Sequence, residues 1–572
     1  MDAALWGNAT DVRRLLDQGA DPNTRNDAGA TPLMRAVVDL EKTRVLLEHH
    51  ADVNARSDDG RSPLLIAAGL PGAAPVVTLL LNAGAAINVS APGLGGDMTP
   101  LAEATRSGDA AVFQLLLDRG ADVKIAGVPA LALAVRSTCD VCAQRLLKSV
   151  SPEILTNTLF LEMPPLSEGR GAKALFENGA DPKLTDGDGK TMIARAAASD
   201  VGLNDALRLL IAKGVDVNAR DKAGETALDI ARRHGRTTTV DVLKSAGAAA
   251  GNASVAAAVT PAPAASARVA LERALPLLQR TDAVFLKKSG CVSCHNNTLT
   301  AMTVAAVRPL GIAVDEATAR ASVKTIGTFL DVWRDRALQG VGIPGDADTV
   351  SYILLGLHAE KYAADPATDA MAFFLKRTQL ANGQWRIIAH RPPLESSDIE
   401  VTAASMRALQ LYAPAAVKSD YDQAARRATA WLAAAPTRSN EDRAFKLLGL
   451  TWGHAAAGAI QKAGRALLAE QRPDGGWAQL PSMDSDAYAT GQTLVALAES
   501  GAITPANPIY QRGVQFLLKT QCEDGSWLVR TRALPLQPLF DIGFPHGNDG
   551  WISAAATNWA AMALARGYVK PS

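Results

Sequence analysis

The sequence predicts an all-α protein made of two different helical repeats in tandem, and three observations predict it. A short phrase, Gly-Ala-Asp-x-Asn or a close variant, recurs as far as Asn218. A second pattern, Gln-x-x-x-Gly-x-Trp, occurs only from Gln379 onward. The nine tryptophans are unevenly spread: Trp6 stands alone, and the other eight lie between Trp333 and Trp559.

The first phrase occupies residues 19–23, 50–54, 84–88, 120–124, 179–183 and 214–218. Its third positions are spaced by 31, 34, 36, 59 and 35 residues, a period near 33 with one gap of nearly two units. A second phrase opens the helices: Thr31-Pro32-Leu33, Ser62-Pro63-Leu64, Thr99-Pro100-Leu101 and, degraded, Thr226-Ala227-Leu228. Threonine or serine caps a helix whose first position is proline, where a missing N–H costs nothing. Leucine doublets such as Leu46-Leu47 and Leu116-Leu117 mark the second helix of each unit. Residues 1–248 resemble an array of seven or eight ankyrin repeats, with eroded units at 130–150 and 155–179. The resemblance implies a concave face of turns and first helices that binds a protein partner. In the first eroded unit Cys139-Asp140-Val141-Cys142 replaces a normal helix, and Ala143 follows, so a close pair or a disulfide is expected there.

Residues 249–268 are Ala- and Pro-rich without periodicity, which predicts a flexible-to-extended tether. In residues 269–572 the second pattern appears at Gln379…Trp385, Gln471…Trp477 and Gln521…Trp527, with a degenerate copy around Trp431. These are QW motifs, and residues 270–566 resemble the squalene–hopene cyclase and prenyltransferase superfamily. That resemblance implies an α/α toroid whose outer helices, QW turns and inner helices ring a cavity able to hold an isoprenoid or other small molecule. Glutamine caps, glycine makes the tight turn, and tryptophan ties adjacent units. Polar groups fall at the inner-helix starts: Asp346 and Asp348; Glu395, Asp398 and Glu400; Asp484, Asp486 and Tyr488; His546 and Asp549.

Cys291-Val292-Ser293-Cys294-His295 reads C-x-x-C-H, the attachment signature of a c-type haem. Residues 271–287 read as an outer helix and 298–307 as an inner one, which puts the motif in the first unit of the toroid. Cys291 and Cys294 would carry haem c, with His295 as proximal ligand and His546 as the preferred sixth. Asn296, Asn297 or Asp398 would orient the imidazole. Zinc held by Cys291, Cys294, His295 and a distant Asp or His546 is the alternative. The cyclase resemblance points instead to Asp484 and Asp486 as catalytic, after Gly475-Gly476-Trp477, but Ala487 stands where the Asp-x-Asp-Asp motif has its last aspartate.

The expected function is an exported protein-interaction module whose toroid binds haem; a cyclase-like enzyme with a degenerate acid motif, or a zinc-binding toroid, is the alternative. Haem attachment requires export to the periplasm, yet no leader opens this sequence, so a missing leader is expected, with a cytoplasmic protein as the alternative. Equal numbers of basic and acidic residues, 58 each, make no case for nucleic acid or anionic membrane. No apolar run reaches transmembrane length.

Overall fold

In the computed structural model the described residues are 1–93, 96–137, 139–251, 259–289, 292–536 and 539–568; of Leu286, Cys294 and His295 only the backbone is described. Among them, no helix is long and apolar enough to cross a membrane. The N-terminal array runs as eight helix pairs, from Asp2–Trp6 with Ala9–Asp17 to Ala227–Arg232 with Thr238–Ser245.

The recurring phrase is explained by its hydrogen bonds. Each asparagine reaches into the next unit: the side-chain amides of Asn23, Asn54, Asn88 and Asn218 donate to the carbonyls of His50, Gly84, Gly120 and Gly247. Each side-chain oxygen accepts a backbone N–H from that same unit, Asp52, Ala86, Asp122 and Ala249 respectively. The aspartate of the phrase closes the local turn, as when Asp52 accepts the N–H of Asn54 at 2.9 Å. Where lysine replaces the asparagine, at Lys124 and Lys183, no such bridge can form, and both positions border the irregular region. The first eroded unit keeps its helix, contrary to expectation: Asp140–Leu147 is helical, Cys139 caps it by accepting the Cys142 N–H at 3.2 Å, and the two cysteines are disulfide-paired.

Among the described residues after 266, twelve α-helices alternate between two layers. The outer ones are α1 (Ala267–Ser289), α3 (Glu316–Leu338), α5 (Pro366–Thr378), α7 (Lys418–Ala434), α9 (Ala457–Leu468) and α11 (Pro508–Thr520). The inner ones are α2 (Leu299–Val307), α4 (Asp346–Ala359), α6 (Asp398–Tyr412), α8 (Asn440–Trp452), α10 (Ala487–Glu499) and α12 (Gly550–Gly567). Each inner helix packs on the next, and α12 returns to α2, so they close a ring. Inner helices are apolar nearly all round and buried on every side, as in α10, where every residue from Ala487 to Leu497 is buried.

The Gln-x-x-x-Gly-x-Trp turns join outer to inner helices by one device used three times. The glutamine amide donates to its own glycine carbonyl and to a carbonyl of the next outer helix: Gln379 to Gly383 and Ala424, Gln471 to Gly475 and Ile509, Gln521 to Gly525 and Ala270. The last of these spans 251 positions and fastens α11 to α1. Gly525 has φ +88°, and a Cβ there would stand 2.4 Å from the Arg273 carbonyl oxygen, so the approach requires glycine. The tryptophan was expected to lie against the next unit, and Trp477 abuts Gly513 of α11 there, where a Cβ would stand 3.1 Å from its ring. Each indole N–H donates back to the preceding outer helix, at Leu375, Leu467 and Leu517 (2.7–2.9 Å), and each backbone N–H donates to a threonine of the following inner helix, Thr402, Thr490 and Thr557. Trp431, expected in a degenerate turn, lies inside α7.

The concave face expected to be open for a protein partner is covered by the chain's own ring. Trp6 meets Phe373 edge-on at 6.1 Å. Arg35 pairs with Asp335 and Asp59 with Arg336, while Arg170 reaches Asp398 at 2.9 Å. Glu103, 2% exposed, binds Arg61 at 2.5 Å and Arg106 at 2.7 Å, and Arg377 of α5 donates to the Ile66 carbonyl. At the far end Asp200 holds His234 at 2.8 Å and Arg532 at 2.7 Å. Contacts thus run from the first repeat to the last, onto the C-terminal parts of α3 and α5, the start of α6 and the loop after α11. Part of the expected tether is docked too: the N–H groups of Ala262 and Ala264 donate to the Gln521 and Leu518 carbonyls.

Candidate functional site

Four consecutive inner helices begin with acidic residues, and those of three converge inside the ring. Asp348 of α4, Glu400 of α6 and Glu441 of α8 are 2–4% exposed, together with Tyr352 and Tyr488, which are 2% and 1% exposed. Helix starts favour carboxylates at the surface through capping and the dipole. Here the flanking residues cap instead: Ser397 accepts the Glu400 N–H and Ser439 the Asp442 N–H, and Asp442 returns to the Ser439 N–H. The acids are thereby left to point inward. Asp348 and Tyr352 face Glu400, and Gln492 and Tyr488 face Glu441. Among the described residues, no oxygen of Glu400 or Glu441 has a hydrogen-bond partner of ordinary geometry.

Burial penalises the charged form, and like charges add to it. Burial pushes the Glu441 carboxyl up to about 8, and burial with the neighbouring Asp348 and Glu441 raises Glu400 well above the carboxylate range. The centre therefore holds carboxylic acids that stay protonated near neutrality, the state a proton donor requires. A folded-state pKa above the unfolded value means that the folded protein holds the proton more tightly. That contribution to stability is complete below the unfolded carboxyl range and is lost as pH rises through about 8.

The sequence-derived residues divide among several places. Asp348, Glu400 and Tyr488 belong to this centre; Glu441 and Tyr352 were not among them. Asp486 caps α10 through the Ala489 N–H at 2.9 Å, and burial pushes its carboxyl up to about 6. Asp484 is exposed and outside the cluster. Asp346 lies at the seam, where burial raises it to about 6 against the pull of Arg106. Asp398 is committed to Arg170 and to the Ile387 N–H, Glu395 to Arg391, and Asp549 to Arg530. His546 lies against Ser526, 2.7 Å from its hydroxyl.

Cys291 lies outside the described residues, as do the side chains of Cys294 and His295. The backbone from Cys294 to Thr298 makes a π-helical turn before α2, packed between α1, α4 and α12. Asn297 is taken up by Asp282 and by the Ser293 N–H. Asn296 is 1% exposed, and among the described residues neither end of its amide has a partner. By residue type alone, two thiols and an imidazole are what a covalently held, histidine-ligated haem would use. Of the three residues expected to orient the imidazole, Asn296 alone is uncommitted.

A cleft of about 870 Å³ opens where array and ring meet. Arg232 and Arg233 line its array side, and Leu394, Leu534, Leu536 and Trp551 its ring side. Such a partly apolar cleft between two domains is the usual setting for a small-molecule site. Arg532, at the seam, also lies close enough to Glu441 and Asp486 to act on their charge.

The N-terminal part carries ankyrin repeats. Residues 1–91 and 167–253 each match the family described as ankyrin repeats (3 copies), and residues 96–128 match the single ankyrin repeat. No curated protein matches the chain. Ankyrin repeats make this part a protein-interaction module, and the interaction visible here is with the chain's own helical ring.

Proposed function

We propose that the ring is an α/α toroid of the terpenoid cyclase/prenyltransferase type, acting as a general acid on an apolar, unsaturated small molecule, with the ankyrin array as its built-in cover. The observation that carries this is the convergence of Asp348, Glu400 and Glu441 with two tyrosines in a buried centre that keeps acids protonated. Ala487 removes the last aspartate of the Asp-x-Asp-Asp pattern, and Glu441 supplies the missing acid from the neighbouring inner helix. Asp486, engaged as a cap, then serves to set the start of α10. The apolar side of the seam cleft suits an isoprenoid-like substrate.

Protonation of an alkene moves the carboxyl proton to carbon, and the resulting cation is discharged by proton loss or by water. Incubation with polyprenyl substrates in D₂O is therefore expected to give products carrying deuterium on carbon. Glu441→Gln should lower that rate about 10²–10⁴-fold, the usual worth of a positioned acid. Unchanged turnover in both Glu441→Gln and Glu400→Gln would remove the acid assignment, and loss confined to Asp486→Asn would return it to Asp486.

A second reading rests on the C-x-x-C-H sequence of Cys291, Cys294 and His295 and on the Asn296 amide that follows it, buried and without a partner among the described residues. In it the first unit binds haem c through two thioethers, His295 ligates the iron, and the protein works after export. The group would supply electron transfer or ligand binding. Expression with a cytochrome c maturation system should then give a Soret band that survives denaturation. A colourless product removes this reading and leaves the acid centre untouched.

A further inference from the structure

Three chemically different ligating groups meet where the ring closes. Cys522 Sγ, an Asp524 carboxylate oxygen and a His546 ring nitrogen all lie within 4.8 Å of one another. Cys522 and Asp524 belong to the last QW turn, the one that Gln521 fastens to Ala270. His546 comes from the loop leading into α12 and is held at φ +82°, a conformation uncommon for a residue with a side chain. The Ser526 hydroxyl sits among them, 2.7 Å from His546 Nε2 and 2.5 Å from Asp524 Oδ1. Cys522 is 4% exposed, while Asp524 faces solvent.

We propose that Cys522, Asp524 and His546 form a binding site for a zinc-class divalent cation. Sulfur, imidazole nitrogen and carboxylate oxygen together favour a borderline-soft ion; magnesium and calcium take oxygen shells. Ligands on a tetrahedral zinc stand roughly 3.3–3.7 Å apart, so the three groups need to close by about 1 Å. Binding releases the thiol proton and leaves a fourth position for water on the exposed side. These residues are not inner-helix starts, where the prenyltransferase resemblance would seek zinc, and the site stands apart from the acid centre. His546, expected as a sixth iron ligand, is given a different partner set. The ion would tie the closing turn of the ring to the loop that leads into the last inner helix.

The test uses the full chain with Cys291→Ser and Cys294→Ser, under non-reducing conditions that leave Cys139 and Cys142 paired. After loading with Zn²⁺ or Co²⁺ and dialysis, one metal equivalent per chain is expected, with a thiolate-to-Co²⁺ charge-transfer band and a raised Tm. Cys522→Ser should abolish the band. His546→Ala, checked for folding by circular dichroism, should weaken binding by more than the 10–100-fold that loss of a merely supporting residue causes. Protein that keeps no metal, or a band that survives Cys522→Ser, overturns the site.

Discussion

Glu103→Ala is expected to destabilise the protein by about 3–5 kcal/mol and to separate the array from the ring, because it strips the counter-charge from buried arginines. Glu103 and Arg61 are 2% and 1% exposed, with Arg106 and Arg377 beside them. Burial alone would raise the Glu103 pKa, but Arg106, Arg61 and Arg377 overcome it and hold the carboxyl down at about 2. Burial and Arg106 lower Arg377 to about 9. Removing the carboxylate leaves these cations facing one another without water. Urea unfolding should resolve into two transitions in the variant, with the array released first. Replacing Glu103 by Leu and Arg61 by Met together should recover part of the loss, since a buried pair exchanged for apolar side chains is often neutral. A single, unshifted transition in Glu103→Ala would show that the seam does not depend on this cluster.

Trp527→Ala is the second large effect, about 3–5 kcal/mol, and it acts on ring closure. The side chain is fully buried; its indole N–H donates to Leu517 at 2.8 Å and its backbone N–H to Thr557 at 3.1 Å. It thus joins α11 to α12 next to the Gln521 bond that fastens α1. Trp385 and Trp477 make the equivalent bonds in their own turns, away from the bond to α1 that closes the ring. Trp527→Ala should therefore also expose the α1–α12 contact to hydrogen exchange, whereas Trp385→Ala should loosen α5 and α6. Equal exchange patterns in the two variants would contradict the closing role.

The two repeats were legible because each phrase is a hydrogen-bonding device. Asn54 and Gln521 stand at recurring positions because the bonds they make repeat from unit to unit, and that repetition shows as periodicity. The expected helices at 271–287 and 298–307 correspond to α1 and α2. The seam was not legible. Asp200 and Arg532 lie 332 positions apart, and Arg35 and Asp335 lie 300 apart, with no pattern linking them. The expectation of an open concave face came from the array considered alone. Glu441 was missed because its unit lacks the QW turn and because Ser439-Asn440-Glu441-Asp442 already reads as a capping sequence. Only the inward face of α8 separates Glu441 from Asp442. Cys522 and His546 carry no shared pattern in the sequence, because only the fold of the loop carrying His546 brings it back to the last QW turn.

The acid centre is the central claim, and the pH dependence of stability tests it most directly. Unfolding free energies would be measured in urea from pH 5 to pH 9 for the natural chain and for Glu400→Gln with Glu441→Gln. Each proton held only by the folded state gives a slope of about 1.4 kcal/mol per pH unit. Relative to the double variant, the natural chain is expected to lose stability as pH rises towards and through about 8, the value to which burial pushes Glu441. Parallel curves for the two proteins between pH 6 and pH 8 would show that these carboxyls are ionised in the folded ring, and would contradict the claim.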